Sequence, residues 1–245
     1  MKKLVQNILQ RLLGFDRYLL WFSWFKIKTL RRDRKEGDFI HFLSMLGPQD
    51  TVLDIGANIG IMTVHLARQC PQGTVHAIEP IPENFHALGR IVKRFQLSNV
   101  KLHQFALGEK KGELEMVMPE VSNVKMQGLS HVVHDSITEF NEGSRYKVPV
   151  HKLDDLDELT KGVRGIKIDV ENFEYFVFKG GAKMLQRERP IVYCELWANE
   201  NRELCFKLFR ELGYEIKVLE SGALVSFDPE QHHNQNFFFV PQPNN

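Results

Sequence analysis

The hydrophobic pattern changes at Asp50, and from there apolar runs of strand length alternate with helical patterns. The strand-like runs are short and mostly apolar, as in "TVLDI" (51–55) and "GIKIDV" (165–170). Repeated strand–helix units with mostly apolar strands predict an α/β fold, in which helices cover both faces of a mostly parallel sheet. Two β-rich runs near the end of the chain, "YEIKVLE" (214–220) and "QNFFFVP" (235–241), predict an antiparallel edge.

The interval 112–150 interrupts this rhythm and has no clear period. We interpret it as a lid-like insertion of short strands and loops over the active edge of the sheet, because long insertions in compact domains are often lids or binding loops.

The first 49 residues form a separate pattern, which we interpret as a helical extension preceding a domain at 50–245. Apolar residues recur at helical spacing in "MKKLVQNILQRLLGF", and "YLLWFSWF" (18–25) is too short to span a bilayer. The basic stretch "KIKTLRRDRK" follows. Such a segment either packs on the domain with a solvated basic face or touches a membrane surface or a phosphate backbone.

Composition restricts the class of protein. The chain has 245 residues, 43% of them hydrophobic and 26% charged, which is typical of a folded soluble domain. A formal net charge of +1 gives no global attraction to nucleic acid. The odd count of three cysteines argues against a disulfide framework, so we expect a reducing, cytoplasmic setting, with membrane association as an addition that the N-terminal helix leaves open.

The stretch "DTVLDIGANIG" (50–60) has the form of a ligand-binding turn between a strand and a helix. Gly56 and Gly60 allow a sharp turn and a close approach, but the order differs from the G-x-G-x-x-G of dinucleotide sites. Asp54 would repel a pyrophosphate and attract an ammonium group. Glu79, after the next strand, can accept both hydroxyls of a ribose. These features favour S-adenosylmethionine (SAM) over a dinucleotide, the plain alternative being a turn without a ligand.

Four blocks in order, "VLDIGANIG", "AIEPIPENFHAL", "FALGEKKGEL" and "IKIDVENFEYFVFKGG", resemble the FkbM-type family of class I SAM-dependent methyltransferases. The resemblance implies a Rossmann-like sheet of seven strands with a reversed last strand. It also implies methyl transfer to an oxygen, commonly a sugar or polyketide hydroxyl. The cofactor contacts that it implies or that the turn predicts are Asp54, Gly56, Ala57, Asn58 and Gly60 near the methionine, Glu79 and Pro80 near the ribose, and Phe105, Ala106 and Leu107 near the adenine.

A second acidic cluster follows another predicted strand, in "IKIDVENFE" (166–174). Asp169 and Glu171, with Glu195 from the adjacent strand, are the predicted catalytic residues, because a partly buried carboxylate can remove a hydroxyl proton. Alternatively Asp169 and Glu195 hold Mg²⁺. A third interpretation is that the acidic residues only stabilise a helix N-terminus. Asn172 stands where the family usually has glycine, and it tolerates a positive φ. His131 and His134 in the insertion are further candidates for a base.

We therefore expect a SAM-dependent O-methyltransferase that acts on a small molecule or glycan. A nucleic-acid methyltransferase is the alternative enzyme, although the chain lacks the N/D-P-P-Y/F motif of amino-group methylation. A SAM-binding module without catalysis is the alternative from another class. No pattern indicates the oligomeric state.

Overall fold

The computed structural model describes residues 2–121, 124–134 and 141–243. The helices are α1 (Lys2–Leu13), α2 (Phe15–Thr29), α3 (Gly37–Ser44), α4 (Ile61–Gln69), α5 (Pro82–Arg94), α6 (Asp157–Thr160), α7 (Glu174–Lys179), α8 (Ala182–Glu188) and α9 (Glu200–Glu211). The strands are β1 (Thr51–Ile55), β2 (Thr74–Ile78), β3 (Val100–His103), β4 (Ala106–Leu107), β5 (Gly112–Val121), β6 (Val124–Lys125), β7 (His131–Val132), β8 (Gly143–His151), β9 (Val163–Ile168), β10 (Ile191–Glu195), β11 (Tyr214–Glu220), β12 (Ala223–Ser226) and β13 (Asn236–Pro241).

The main sheet has the order β12-β11-β13-β10-β9-β1-β2-β3. β1 pairs in parallel with both β2 and β9, so that Ile55 is level with Ile78 and Ile168. The chain builds outward from β1 first toward β3 and later toward β10. Strand order therefore reverses beside β1, and a crevice forms there at the carboxyl ends of the strands.

The reversed last strand is confirmed, but its surroundings differ from the prediction. β13 is antiparallel to both β10 and β11 and lies between them, inside the sheet. The predicted count of seven strands is wrong by one, because the short strand β12 forms a hairpin with β11 and makes the antiparallel outer edge. The β12 segment "ALVS" is half exposed and too short to give a distinct strand signal.

The insertion forms a second sheet, which contains the short strands β6 and β7 but is built mainly on two strands that are longer than predicted. β5 has ten residues and β8 nine, and they pair in antiparallel register from Gly112–Val150 to Pro119–Gly143. β8 has alternating buried and exposed positions near its end, whereas β5 has four consecutive buried residues at 116–119. Part of the predicted insertion, at 122–123 and 135–140, lies outside the described residues. β4 joins this sheet through β8, so the apolar run 99–107 is divided between two sheets.

The N-terminal extension packs on the domain. Gly14, at φ 73°, separates α1 from α2. Tyr18 and Leu19 of α2 are buried against Ile59 and Ala87. Ser23 Oγ donates a hydrogen bond of 2.8 Å to the carbonyl of Ile59. Within the described residues, no helix is both long and apolar enough to cross a membrane. The division at residue 49 stays a prediction.

Candidate active site

The glycine turn closes the carboxyl end of β1 and reaches across to β2. The amides of Gly56 and Ala57 both donate to the carbonyl of Ile78, at 3.0 Å. Gly56 has φ 72°, and a Cβ there would lie 1.9 Å from the carbonyl oxygen of Asp169. Asn58 also has a positive φ, 49°, and its amide donates to Glu79 Oε2 at 2.8 Å. The asparagine is thus compatible with the turn, as its tolerance of positive φ predicts.

Glu79 follows β2 and is only 4% exposed. Besides the Asn58 amide, its carboxylate accepts the amide of Ile81 at 3.0 Å and Asn84 Nδ2 at 3.4 Å. Burial raises the pKa of Glu79 to about 7 in spite of these hydrogen bonds. A buried carboxylate in this state gains from further hydrogen-bond donors, and ribose hydroxyls are such donors.

Two more acceptor atoms lie at the same wall. Asn58 Oδ1 and Asn84 Oδ1 are buried and have no hydrogen-bond partner among the described residues. Because unsatisfied buried polar atoms are costly, they indicate a ligand or water that donates to them.

These groups line one cavity, which we call the first cavity. The predicted site residues that line it are Gly56, Asn58, Glu79, Pro80, Phe105, Ala106, Leu107, Asp169 and Glu171. The insertion supplies the facing wall through Met116, Gln127, Gly128, Ser130 and Val132. The first cavity is therefore enclosed by the segments after β1, β2 and β9 together with the insertion.

Asp54 lies behind the turn and does not line the first cavity, contrary to the expectation of direct ligand contact. Its side chain is fully buried, accepts a 2.6 Å hydrogen bond from Thr63 Oγ1 and lies 3.4 Å from Lys167 Nζ. Lys167 Nζ also donates to the carbonyl of Gly56 at 2.9 Å. Burial opposes the charge of Lys167, but the Asp54 and Asp169 carboxylates keep its pKa above the usual value. The signal that sequence reasoning missed was a lysine inside an otherwise apolar strand.

Gly60 also acts behind the cavity. It precedes α4 with φ 81°, and a Cβ there would lie 2.8 Å from Leu88 Cδ1. Gly60 therefore allows the turn and α5 to pack closely, and it does not line the first cavity.

Four carboxylates, Asp169, Glu171, Glu174 and Glu195, cluster after β9 and β10. Burial, with the neighbouring charges of Asp169 and Glu195, raises the pKa of Glu171 to about 9. Burial and the Asp169 charge raise the pKa of Glu195 to about 7. Glu174 is buried, accepts the Val170 amide at 3.0 Å and has its pKa raised to about 8, mainly by burial. Glu171 and Glu174 are consequently protonated at neutral pH. Glu195 itself does not line the first cavity.

The turn that presents Glu171 is held in an uncommon conformation. Glu171 and Asn172 both have positive φ, 52° and 73°. Asn172 Oδ1 accepts from Asn199 Nδ2 at 2.7 Å, and its carbonyl accepts from Asn201 Nδ2 at 3.0 Å. Consecutive left-handed residues cost energy and persist where surrounding contacts fix them, as this asparagine network does.

The N-terminal extension lines a second cavity of about 200 Å³ on the other side of the turn. Phe22, Lys26, Leu30 and Glu36 come from the extension, and Ala57, Lys167 and Asp169 come from the domain. Asp169, Gly56 and Asn58 line both cavities. Burial raises the pKa of Glu36, with Lys26 opposing the shift and Asp33 and Asp169 adding to it. Sequence reasoning missed Glu36 because it directly follows the basic stretch, where no periodic pattern marks it.

Neither of the two candidate histidines lines the first or the second cavity. The His131 ring is within hydrogen-bond distance of the Leu129 carbonyl, at 2.8 Å, and of Asn141 Oδ1, at 3.1 Å. The His134 ring packs against the rings of Phe173 and Phe176. Among the described residues, no three or more His, Cys, Asp or Glu side chains are grouped as metal ligands.

Comparison with known proteins identifies the family. The model of the methyltransferase FkbM domain matches residues 54–227. Methyltransferase 1 of Beauveria bassiana is 31% identical over 150 residues, which are 54% of this chain and 59% of that protein. The 31-O-demethyl-FK506 methyltransferase FkbM of Streptomyces tacrolimicus is 37% identical over 71 residues, 29% of this chain and 27% of that one.

The chain spans 59% of the Beauveria protein and 64% of the methyltransferase sdnD of Sordaria araneosa, which is 24% identical over 58% of this chain. Among solved structures, methyltransferase FkbM from Methylobacillus flagellatus superposes with a TM-score of 0.53 at 16% identity, covering 80% of this chain and 44% of that one. The chain therefore belongs to the FkbM methyltransferase domain family, and its sheet has the class I SAM-dependent methyltransferase fold.

Proposed function

We propose that the protein is a SAM-dependent O-methyltransferase acting on a hydroxyl of a small molecule or glycan. The observation that carries this proposal is the first cavity, in which the glycine turn, Glu79, the 105–107 segment and Asp169 line one space. The name of the Streptomyces relative refers to an O-demethyl substrate, which supports an oxygen acceptor here.

The two cavities together suit the parts of SAM. Phe105, Ala106 and Leu107 offer an apolar surface for the adenine, and Glu79 with Asn84 offers acceptors for the ribose hydroxyls. The amino-acid end of SAM is a zwitterion. The second cavity presents both complementary charges, with Lys26 for the carboxylate and Glu36 for the ammonium group. We infer that the N-terminal extension is part of the cofactor site.

SAM, when bound, supplies an electrophilic methyl group. The protein's own part is to hold the acceptor and to take the hydroxyl proton as the new oxygen–carbon bond forms. Asp169 lines both cavities, whereas Glu171 already carries a proton at neutral pH because its pKa is about 9. Asp169 is therefore the proposed base. Burial and the Asp169 charge raise the pKa of Glu195 to about 7, so Glu195 is partly protonated near neutral pH.

Calorimetry and a methyl-transfer screen test this proposal. We expect SAM and S-adenosylhomocysteine to bind, and labelled methyl groups to reach a sugar nucleotide, a glycolipid or a polysaccharide fragment. Asp169→Asn should keep binding and lose turnover. Loss of activity in EDTA, restored by Mg²⁺, would replace the base mechanism by the metal alternative.

Other outcomes would select the remaining classes. Methyl transfer to RNA alone would favour the nucleic-acid methyltransferase, and SAM binding without transfer to any acceptor would favour a non-catalytic module. No binding of either ligand would refute the proposed function. Exposed aromatic side chains lie beside basic residues on α2, and they support the hypothesis of a peripheral membrane contact.

Glu79→Gln tests the ribose assignment. Loss of a charged acceptor from a buried hydrogen bond costs about 1.5–3 kcal/mol, so the Kd of SAM should rise on the order of 10- to 100-fold. Calorimetry measures the change, with circular dichroism as the control for folding. An unchanged Kd would show that Glu79 does not contact the ligand.

A further inference from the structure

The side chains of helix α2 point to three different parts of the protein. Tyr18, Leu19, Ser23 and Ile27 are buried against the domain. Phe22 and Lys26 line the second cavity. Arg17, Trp21 and Trp24 face a groove between α2 and α5. The first two faces are explained by packing and by the candidate site, and the third is not.

We call the third feature the arginine groove, a cavity of about 570 Å³ whose polar lining is three arginines, Arg17 from α2 and Arg90 and Arg94 from α5. Trp21 and Trp24 form its aromatic wall. The groove thus combines guanidinium groups with a large apolar surface.

The arginines of the groove are not neutralised. Across residues 2–121, 124–134 and 141–243, none of the three forms an ion pair with a carboxylate. Arg145, Arg187 and Arg202 on other surfaces each pair with a glutamate. Three uncompensated guanidinium groups around one groove favour an anion, and guanidinium geometry suits a phosphate.

The aromatic side chains beside the groove are unusually exposed. Trp21 is 46% and Phe25 45% exposed, and their rings stack at 5.7 Å. Lys28 Nζ lies 4.0 Å from the centre of the Trp24 ring. Exposed aromatic rings flanked by cations are the composition of protein surfaces that rest at the headgroup level of a bilayer.

We propose that the arginine groove binds the phosphate of an anionic phospholipid, and that Trp21 and Phe25 enter the headgroup layer. The charge of the groove selects an anionic lipid, and the exposed rings select a bilayer over a free phosphate. Since α2 also lines the second cavity, docking holds the candidate site close to the membrane surface. The docking does not depend on the methyl-transfer proposal.

Sedimentation of the full chain with vesicles tests this inference. We expect binding to phosphatidylcholine vesicles that contain phosphatidylglycerol, weaker binding in high salt, and little binding to pure phosphatidylcholine. The triple variant R17Q/R90Q/R94Q should weaken binding by about fivefold per arginine, on the order of 100-fold in total.

A matched triple variant separates the groove from net charge. R145Q/R187Q/R202Q removes the same number of charges elsewhere and should change vesicle binding by less than about threefold. Equal losses in both triple variants would overturn the assignment of the groove. Binding of single-stranded RNA without binding of anionic vesicles would also overturn it, in favour of a nucleic-acid surface.

Tryptophan fluorescence tests the depth of contact independently of affinity. The chain has three tryptophans, and W24F/W197F leaves Trp21 as the reporter. Anionic vesicles should shift its emission to shorter wavelength, and W21S/F25S should weaken binding while thermal unfolding stays cooperative. An unshifted Trp21 emission in the vesicle-bound state would refute insertion.

Discussion

A single buried lysine orders the turn on which the candidate site is built. Lys167 Nζ contacts both the Asp54 carboxylate and the carbonyl of Gly56. It therefore links the middle of the sheet to the backbone beside Asp169. In a low-dielectric interior, such a charge is tolerated only with its partner, so Asp54 and Lys167 act as a unit. The acidic residue that suggested ligand contact instead fixes the conformation of the turn.

Lys26, which also forms an ion pair of 3.2 Å with Asp33, is proposed to bind the carboxylate of SAM. Lys26→Met should raise the Kd of SAM on the order of 10-fold, because a charge-assisted hydrogen bond to its carboxylate is lost. The affinity for 5′-methylthioadenosine, which lacks the amino-acid moiety, should not change. Calorimetry with both ligands makes the comparison.

Lys28→Met is the matched control, since Lys28 lies on the same helix but is exposed over Trp24. Equal effects of the Lys26 and Lys28 variants, or an equal loss for both ligands, would contradict the zwitterion assignment.

The raised pKa of Glu171 predicts how stability depends on pH. The pKa of Glu171 in the folded state, about 9, lies above the ordinary 4.5. Protonated Glu171 therefore stabilises the folded state fully below about pH 4.5, and this contribution is lost as the pH rises to about 9. The free energy of unfolding should fall over this range, and in Glu171→Gln it should fall less steeply, by up to about 1.4 kcal/mol per pH unit. Denaturant titrations at several pH values measure this slope.

Glu215→Gln provides the control. Its pKa is lowered by the hydrogen bond from Lys217, so it titrates below this range and its removal should leave the slope unchanged. A Glu171→Gln slope equal to that of the wild type would show that Glu171 is not held protonated.

At the level of elements, the glycine turn depends on close packing of backbone as well as on φ. Gly56 and Gly162 have nearly the same φ, 72° and 73°. A Cβ at Gly56 would collide with the Asp169 carbonyl, whereas at Gly162 nothing lies within 4 Å. This pair separates the conformational cost from the steric one.

Gly162→Ala should lower the free energy of unfolding by about 1–2 kcal/mol, the cost of a left-handed alanine. Gly56→Ala should cost more than this and should also abolish SAM binding, because the turn must move away from Asp169. Chemical denaturation measures both variants. Equal losses of stability would refute the steric argument.

The insertion and the N-terminal helices are tied to each other and to α5. Gln10 forms two reciprocal hydrogen bonds of 3.1 Å with the backbone of Lys125, and Tyr146 Oη donates to Glu83 Oε1 at 2.7 Å. The wall of the first cavity is therefore anchored by elements distant in sequence, which gives the candidate site a fixed boundary.

At the scale of the whole molecule, the extension contributes to the core. Phe39 and Phe42 of α3 are fully buried and pack against Tyr193 and Phe238 on one face of the sheet. Removing residues 1–49 would expose this apolar surface, because these aromatic side chains cover the β10–β13 pair.

We therefore expect the fragment 50–245 to lose cooperative thermal unfolding and SAM binding, since it lacks both the core aromatics and Lys26. Calorimetric scans of the fragment and the full chain make the comparison, with the single substitution Phe42→Ala, expected to cost about 3–5 kcal/mol, as an intermediate case. A fragment with unchanged cooperativity would show that the domain begins at residue 50.

The sequence by itself determined the class of fold and most of the first cavity. Short, mostly apolar strands alternating with helices specify a parallel sheet, and the turn in "DIGANIG" together with Glu79 requires only local backbone geometry and strand order. For the same reason the positive φ at Asn172 was predictable, because it depends on the residue itself and its neighbours in the chain.

Only the tertiary structure decided which side chains meet. The pairing of Asp54 with Lys167, the long hairpin that covers the first cavity, and Glu36 and Lys26 beside Asp169 join segments far apart in the chain. Such contacts follow from packing and burial, which no local period encodes. The physical reason is that a side chain's charge and neighbours are set by what the folded chain places around it.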